Sequence, residues 1–171
     1  MIFINFCQLA DDSYILNFDS PIYVCPDEES QAFVDTSQVE VQRYNETCSY
    51  MKGGIRFLKE MQDSTMIEFL IEKEVGGNFE MLTSHEICDL CKELGDPESP
   101  YRQYLKYFGF PDRCPFPAVN LVADTRDLPI NSVTAGRYQV TLNINRNPSK
   151  DCLNEKHFIA CFKLDFIIEH L

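Results

Sequence analysis

Gly136-Arg137-Tyr138-Gln139-Val140-Thr141-Leu142-Asn143-Ile144-Asn145 sets Tyr138, Val140, Leu142 and Ile144 on one face and Arg137, Gln139, Thr141 and Asn143 on the other. Side chains alternate across a strand, so this pattern predicts a strand with one buried face and one wet face. Downstream, Phe158, Ala160, Phe162, Leu164, Phe166 and Ile168 alternate with His157, Ile159, Cys161, Lys163, Asp165 and Ile167. Asn147-Pro148-Ser149-Lys150-Asp151 lies between them and is a turn sequence, which predicts a long hairpin. Upstream, Ile67, Phe69 and Ile71 alternate with Glu68, Leu70 and Glu72, and Gly76-Gly77-Asn78 turns the chain into Phe79-Glu80-Met81-Leu82. Shorter strand candidates are 14–18, 21–24, 33–42, 54–58 and 118–123.

The middle of the chain has a different period. Thr83 followed three residues later by Glu86 has the form of a capping box, and Ile87, Leu90, Cys91 and Leu94 make a helical stripe. Ser99-Pro100 offers an N-cap with proline at the first helical position. Tyr101, Tyr104, Leu105 and Phe108 form a second stripe, which Gly109 can end in the left-handed conformation. Pro111, Pro115 and Pro117 then predict a rigid loop around Cys114. Many strands with short helices inserted midway describe a mainly-β fold: a two-sheet antiparallel sandwich with a helical insertion.

Composition narrows the function. The chain has 171 residues, of which 44% are apolar, and this fits one domain with a real core. A formal charge of −12 opposes nucleic-acid binding, which needs clustered Lys and Arg on the phosphates. No apolar run has the roughly 18–20 residues that a membrane span requires. Eight cysteines, an even number, read as a disulfide framework of an oxidising compartment. The sequon Asn45-Glu46-Thr47 agrees with a secretory route and marks Asn45 as a glycosylation candidate. Residues 1–12 read either as the remnant of a signal peptide or as an N-terminal strand, and as a leader they would take Cys7 with them. Residues 13–171 form the single domain.

Catalytic and metal chemistry find little support. There are three histidines, His85, His157 and His170, none in a nucleophile signature, and no Gly-x-Ser-x-Gly elbow exists. His85-x-x-Cys88-x-x-Cys91 has the spacing of soft metal ligands, yet no second paired motif supplies a fourth ligand. Cys88 and Cys91 are better read as members of separate disulfides. Asp11-Asp12, Glu28-Glu29 and Glu72/Glu74 match no calcium loop and read as wet surface. The expectation is a non-enzyme without metal or cofactor. What stands out is apolar: Phe57, Ile67, Phe69, Ile71, Phe158, Phe162, Leu164 and Phe166. A packed core and a hollow sandwich holding a ligand would use the same residue types, and periodicity alone leaves both open.

Several ordered segments carry a family likeness. Ile71-Glu72-Lys73-Glu74-Val75-Gly76-Gly77 follows a strand, and Ile87-Cys88-Asp89-Leu90 precedes a helical stripe. Tyr107-Phe108-Gly109-Phe110-Pro111 leads to Cys114-Pro115-Phe116, Gly136-Arg137-Tyr138 opens a long strand, and Cys161-Phe162-Lys163-Leu164 lies in the last one. Over roughly residues 13–171 the chain resembles the MD-2-related lipid-recognition (ML) superfamily, in its GM2 activator-like branch. It is also similar to insect chemosensory ML-type proteins of the CheA and CheB kind, in which a Tyr-rich strand precedes the first cysteine, as Ser13-Tyr14-Ile15 precedes Cys25 here.

The resemblance implies a disulfide-stapled β-cup whose interior holds acyl chains. Its function would be lipid binding and transfer, secreted or lysosomal, presenting lipid to a partner hydrolase. The alternative is a chemosensory carrier or co-receptor, with a sensory receptor as partner, for a hydrophobic cue such as a pheromone. It places Phe57, Ile67, Phe69, Ile71, Tyr138, Val140, Leu142, Phe162, Leu164 and Phe166 on inward faces in contact with lipid, and Phe79 at the rim. It further implies two bridges, Cys25 with Cys161 and Cys88 with Cys114. Cys48, Cys91 and Cys152 have no counterpart in that pattern, and the chain has no Trp. General lipid binding therefore carries over, and ganglioside specificity does not.

Overall fold

The computed structural model describes residues 14–126, 128 and 134–170. The alternatives of leader or first strand for residues 1–12 lie outside the described residues, as does Cys7. Nine strands form among the described residues: β1 (Tyr14–Phe18), β2 (Tyr23–Val24), β3 (Val34–Arg43), β4 (Ser49–Phe57), β5 (Thr65–Val75), β6 (Asn78–Ile87), β7 (Val119–Asp124), β8 (Gly136–Arg146) and β9 (His157–His170). Three short helices accompany them: α1 (Glu28–Phe33), α2 (Leu90–Gly95) and α3 (Pro100–Leu105), the last continued by a 3-10 turn at Lys106–Phe108. The larger sheet runs β1-β9-β8-β5-β6, with β2 also paired to β9, and the smaller runs β3-β4-β7. All the strand pairs are antiparallel, so the architecture is the mainly-β, disulfide-stapled sandwich expected.

The alternating segments pair in register. β8 and β9 form the long hairpin, joining Val140 to Leu164 and Leu142 to Phe162. β5 lies on the other side of β8, joining Phe69 to Leu142 and Ile71 to Val140. Directly paired residues share a face, so the registers stack the inner face of this sheet in rows. The first row is Ile87, Ile67, Ile144 and Ala160, each 0–1% exposed. Sealing isoleucine side chains this completely contributes about 1.5–3 kcal/mol apiece. Met51, Ile55, Phe57, Leu121 and Ala123 of the smaller sheet complete the same core.

Two local expectations are corrected. Thr83 and Glu86 belong to β6, not to a capping box, because β5 pairs with that segment through Ile71–Thr83 and Ile67–Ile87. The helix starts later, at Leu90, where the Asp89 carboxylate accepts from the Lys92 N–H at 3.2 Å. The stripe of Ile87, Leu90 and Leu94 is thus a strand end followed by a helix, all three residues being buried. At α3, Pro100 opens the helix as expected, but the Ser99 hydroxyl donates to Glu93 instead of capping it. Gly109 does take the left-handed conformation, with φ +78°. A Cβ there would sit 2.6 Å from the Val122 nitrogen, so glycine also permits the close approach to β7.

Helix α1 was not foreseen. Asp27 caps it, accepting from the Ser30 N–H at 2.7 Å and the Ser30 hydroxyl at 2.8 Å, with Glu28 and Glu29 in the first turn. An acidic first turn behind an Asp N-cap is a helix signal, and it stood in a segment read as surface carboxylates. The Ser30 hydroxyl in turn accepts from the Cys161 N–H at 2.8 Å, which fastens α1 to β9.

Three disulfides staple the described residues. Cys25–Cys161 ties the segment after β2 to β9, with 5.4 Å between Cα atoms, as the family likeness implied. The Cys88–Cys114 pairing is corrected: Cys88 bonds Cys152, and Cys91 bonds Cys114. The late start of α2 explains the exchange. Cys88 directly follows the end of β6, beside the turn that joins β8 to β9, where the Asn147 side-chain amide donates to the Cys88 carbonyl at 3.0 Å. Cys91, in the first turn of α2, reaches the loop that carries Cys114. Cys48, in the β3–β4 turn, is disulfide-bonded as well.

Candidate functional site

The two sheets differ in width. Among the described residues, three strands lie over six, and the inner face of the larger sheet is sealed unevenly. Beyond the sealed first row come His85, Phe69, Leu142 and Phe162, then Thr83, Ile71, Val140 and Leu164, then Lys73, Tyr138, Phe166 and Phe18. In the second and third rows the β9 members are the better covered: Phe162 and Leu164 are buried, whereas Phe69 and Ile71 on β5 are half-buried and His85 is exposed. Val140 and Phe166 are half-buried too. An apolar residue at the centre of a sheet, facing a second sheet, is normally sealed at close-packed density. Partial exposure at these four positions marks an incompletely sealed apolar recess, closed at the Ile67–Ile144 end, with Phe69, Ile71 and Val140 towards β5 and β6 and Phe166 on β9.

Sequence reasoning placed eleven residues on such a surface, and the structure divides them. Phe69, Ile71, Val140 and Phe166 line the recess. Tyr138, Leu142, Phe162 and Leu164 form its wall and are buried. Ile67 belongs to the sealed end. Phe57 lies in the other sheet, 1% exposed, edge-to-face with Phe33 at 5.8 Å, Phe110 at 5.9 Å and Phe116 at 6.2 Å, and is core rather than lining. Phe79 is corrected. A bulge between Ile71 and Glu72 shifts the β6 register, so that Met81 pairs with Glu72 and Phe79 with Glu74, on the outer face. Phe79, Met81 and Leu82 are all exposed along this edge strand.

Sequence reasoning missed Lys73, which reads as a surface charge between Glu72 and Glu74. Its Nζ donates to the Thr134 hydroxyl at 2.7 Å and lies 5.5 Å from the centre of the Tyr138 ring. Tyr138 donates to the Thr134 carbonyl at 2.6 Å and stacks on Phe166, centroids 5.4 Å apart. Only the β5–β8 register, which puts Lys73 opposite Tyr138, reveals that it shares the apolar face.

A second concavity is a surface groove of about 400 Å³ between the β3–β4 turn and β1, lined by Asn17, Asp19, Arg43, Asn45, Thr47 and Glu169 among others. None of the eleven candidates lines it. Asn45 is exposed there, its side-chain oxygen accepting from the Thr47 N–H at 2.8 Å, the Thr47 hydroxyl at 3.0 Å and the Cys48 N–H at 2.8 Å. Elsewhere, Glu86, Cys88 and Cys152 bring their ligand atoms within 4.8 Å of one another, but the two sulfurs are bonded together and Lys156 pairs with Glu86.

Four carboxyls are held below their ordinary value of 3.8. The Ser30 hydroxyl and N–H act on Asp27, the Ser37 N–H on Asp35, the Arg126 guanidinium on Asp124, and the Ser149 hydroxyl on Asp151. A depressed folded-state pKa stabilises the fold fully above the unfolded value and loses that contribution as pH falls through the folded one. The expected melting temperature therefore does not decline on account of these groups between pH 7 and pH 5, and falls below about pH 4. Calorimetric scans across that range check it.

No helix among the described residues is long and apolar enough to cross a membrane. No protein-family model matches the chain, and no curated protein matches it.

Proposed function

We propose that the chain is a lipid-binding and transfer protein of the ML type, holding acyl chains between its sheets and presenting them to a partner. One observation carries this: Phe69, Ile71, Val140 and Phe166 are only half-buried on the inner face of the larger sheet, beyond a first row that is sealed. Apolar surface with a single open side suits an elongated apolar ligand, and burial of that ligand supplies the driving force. Disulfides form and persist in oxidising compartments, which supports a secreted or lysosomal setting. The expected partner is a hydrolase or a receptor, with the protein itself catalysing nothing. In a secretory host Asn45 is expected to carry a glycan, and Asn45→Gln should abolish the endoglycosidase-sensitive mass shift.

Enlarging a wall residue tests the recess directly. Val140→Phe overpacks a filled core and would cost roughly 1–3 kcal/mol. In a recess with spare volume it is expected to leave the melting temperature nearly unchanged while weakening uptake of a fluorescent fatty acid. A large drop in melting, together with no lipid bound by the parent in native mass spectrometry, overturns the proposal.

A further inference from the structure

We infer that the recess selects an amphiphile with a single negative charge, a long-chain carboxylate, whose head is received by Lys73. The inference rests on the lipid-binding proposal and names the ligand class. Lys73 stands at the end of an apolar row, with Ile71, Val140 and Leu164 in the row next to it. Its β6 cross-strand neighbour is Glu80, yet no carboxylate lies within ion-pair distance of its Nζ among the described residues. Glu72 and Glu74 flank it on the opposite face of β5. The side chain instead crosses Gly136: a Cβ there would meet Lys73 Cε at 2.6 Å, and Gly136 has φ +148°, which side chains other than glycine's rarely adopt. Glycine at this position thus leaves room for the lysine stem to reach Thr134 and the Tyr138 ring.

The result is an ammonium on a half-buried stem, with one neutral oxygen in an exposed hydrogen bond and one ring as its partners among the described residues, at the edge of an apolar surface. An ammonium has three donors, and Thr134 takes one. A carboxylate there would gain charge-assisted hydrogen bonds while its chain covers Ile71, Val140 and Phe69. The charge of the head follows from the cation count. Arg137 pairs with Asp19, and Arg137 and Lys163 lie on the other face of the sheet, so among the described residues of this sheet's inner face Lys73 is the cation at the site. A single cation matches a monoanion.

The probes are a fluorescent polyunsaturated C18 fatty acid and its methyl ester, titrated at neutral pH against the parent and Lys73→Met. The parent is expected to bind the acid about tenfold more tightly than the ester, a modest value for a charge-assisted contact. Lys73→Met should equalise the two by weakening the acid alone. Equal affinities in the parent, or a preference that survives in Lys73→Met, overturn the role of Lys73 and leave ligand binding standing. Failure of the parent to bind either probe overturns lipid binding and this inference with it.

Discussion

Replacing Cys25 and Cys161 together by Ser is expected to lower the stability of this protein by about 5 kcal/mol, more than any other single staple among the described residues. The bridge closes a separation of 136 residues, against 64 for Cys88–Cys152 and 23 for Cys91–Cys114. In the chain-entropy account the loss on opening a loop grows with the logarithm of its length, which gives about 3 kcal/mol for the shortest of the three. Whole domains have about 5–15 kcal/mol of net stability, so the double variant stands near the threshold of folding. It should secrete poorly, and what is secreted should melt about 10–20 °C earlier. Removing Cys91–Cys114 should shift melting by less. Equal shifts, or parent-like melting of the Cys25/Cys161 variant, would contradict the ranking. Peptide mapping under non-reducing conditions checks the pairings independently, since Cys88 should be recovered with Cys152 and never with Cys114.

Phe57→Ala is expected to be the most damaging change to the core, costing about 3–5 kcal/mol. The ring touches three others, from α1 and from the segment after the 3-10 turn, and no water reaches it. Truncation would leave a cavity that Phe33, Phe110 and Phe116 can close only by shifting β4 against the helical insertion. Because Phe57 lies outside the recess, the proposed function predicts that the fraction that remains folded binds fatty acid as the parent does. Melting followed by chemical denaturation gives the stability loss, and titration below the melting point gives the affinity. Weakened uptake by the folded variant would mean that the recess extends to the aromatic cluster.

The strands were legible in the sequence because each buried one repeats its own signal. Tyr138, Val140, Leu142 and Ile144 alternate so regularly that one period suffices, and the turn residues at 76–78 and 147–151 mark where two hairpins close. The likeness to a cup-shaped family came from the order of such segments, and it placed Cys25 with Cys161 correctly. Local chemistry also misled. Thr83 and Glu86 carry the letters of a capping box, yet a strand already paired on one side claimed them, since β5 needed a partner for its other edge.

Tertiary structure alone decided three matters. The first was which of Cys88 and Cys91 meets Cys114, a question settled by where β6 stops, and spacing is blind to that. The second was the face of Phe79, reversed by one bulged residue, because every position beyond a bulge exchanges sides. The third was whether the aromatic rows are sealed or open. Sequence specifies which side chains face inward, but the space between two sheets depends on how many strands cover it. Among the described residues six strands face three, Phe69, Ile71, Val140 and Lys73 are only half-buried, and no residue's own identity records the width of the sheet it faces.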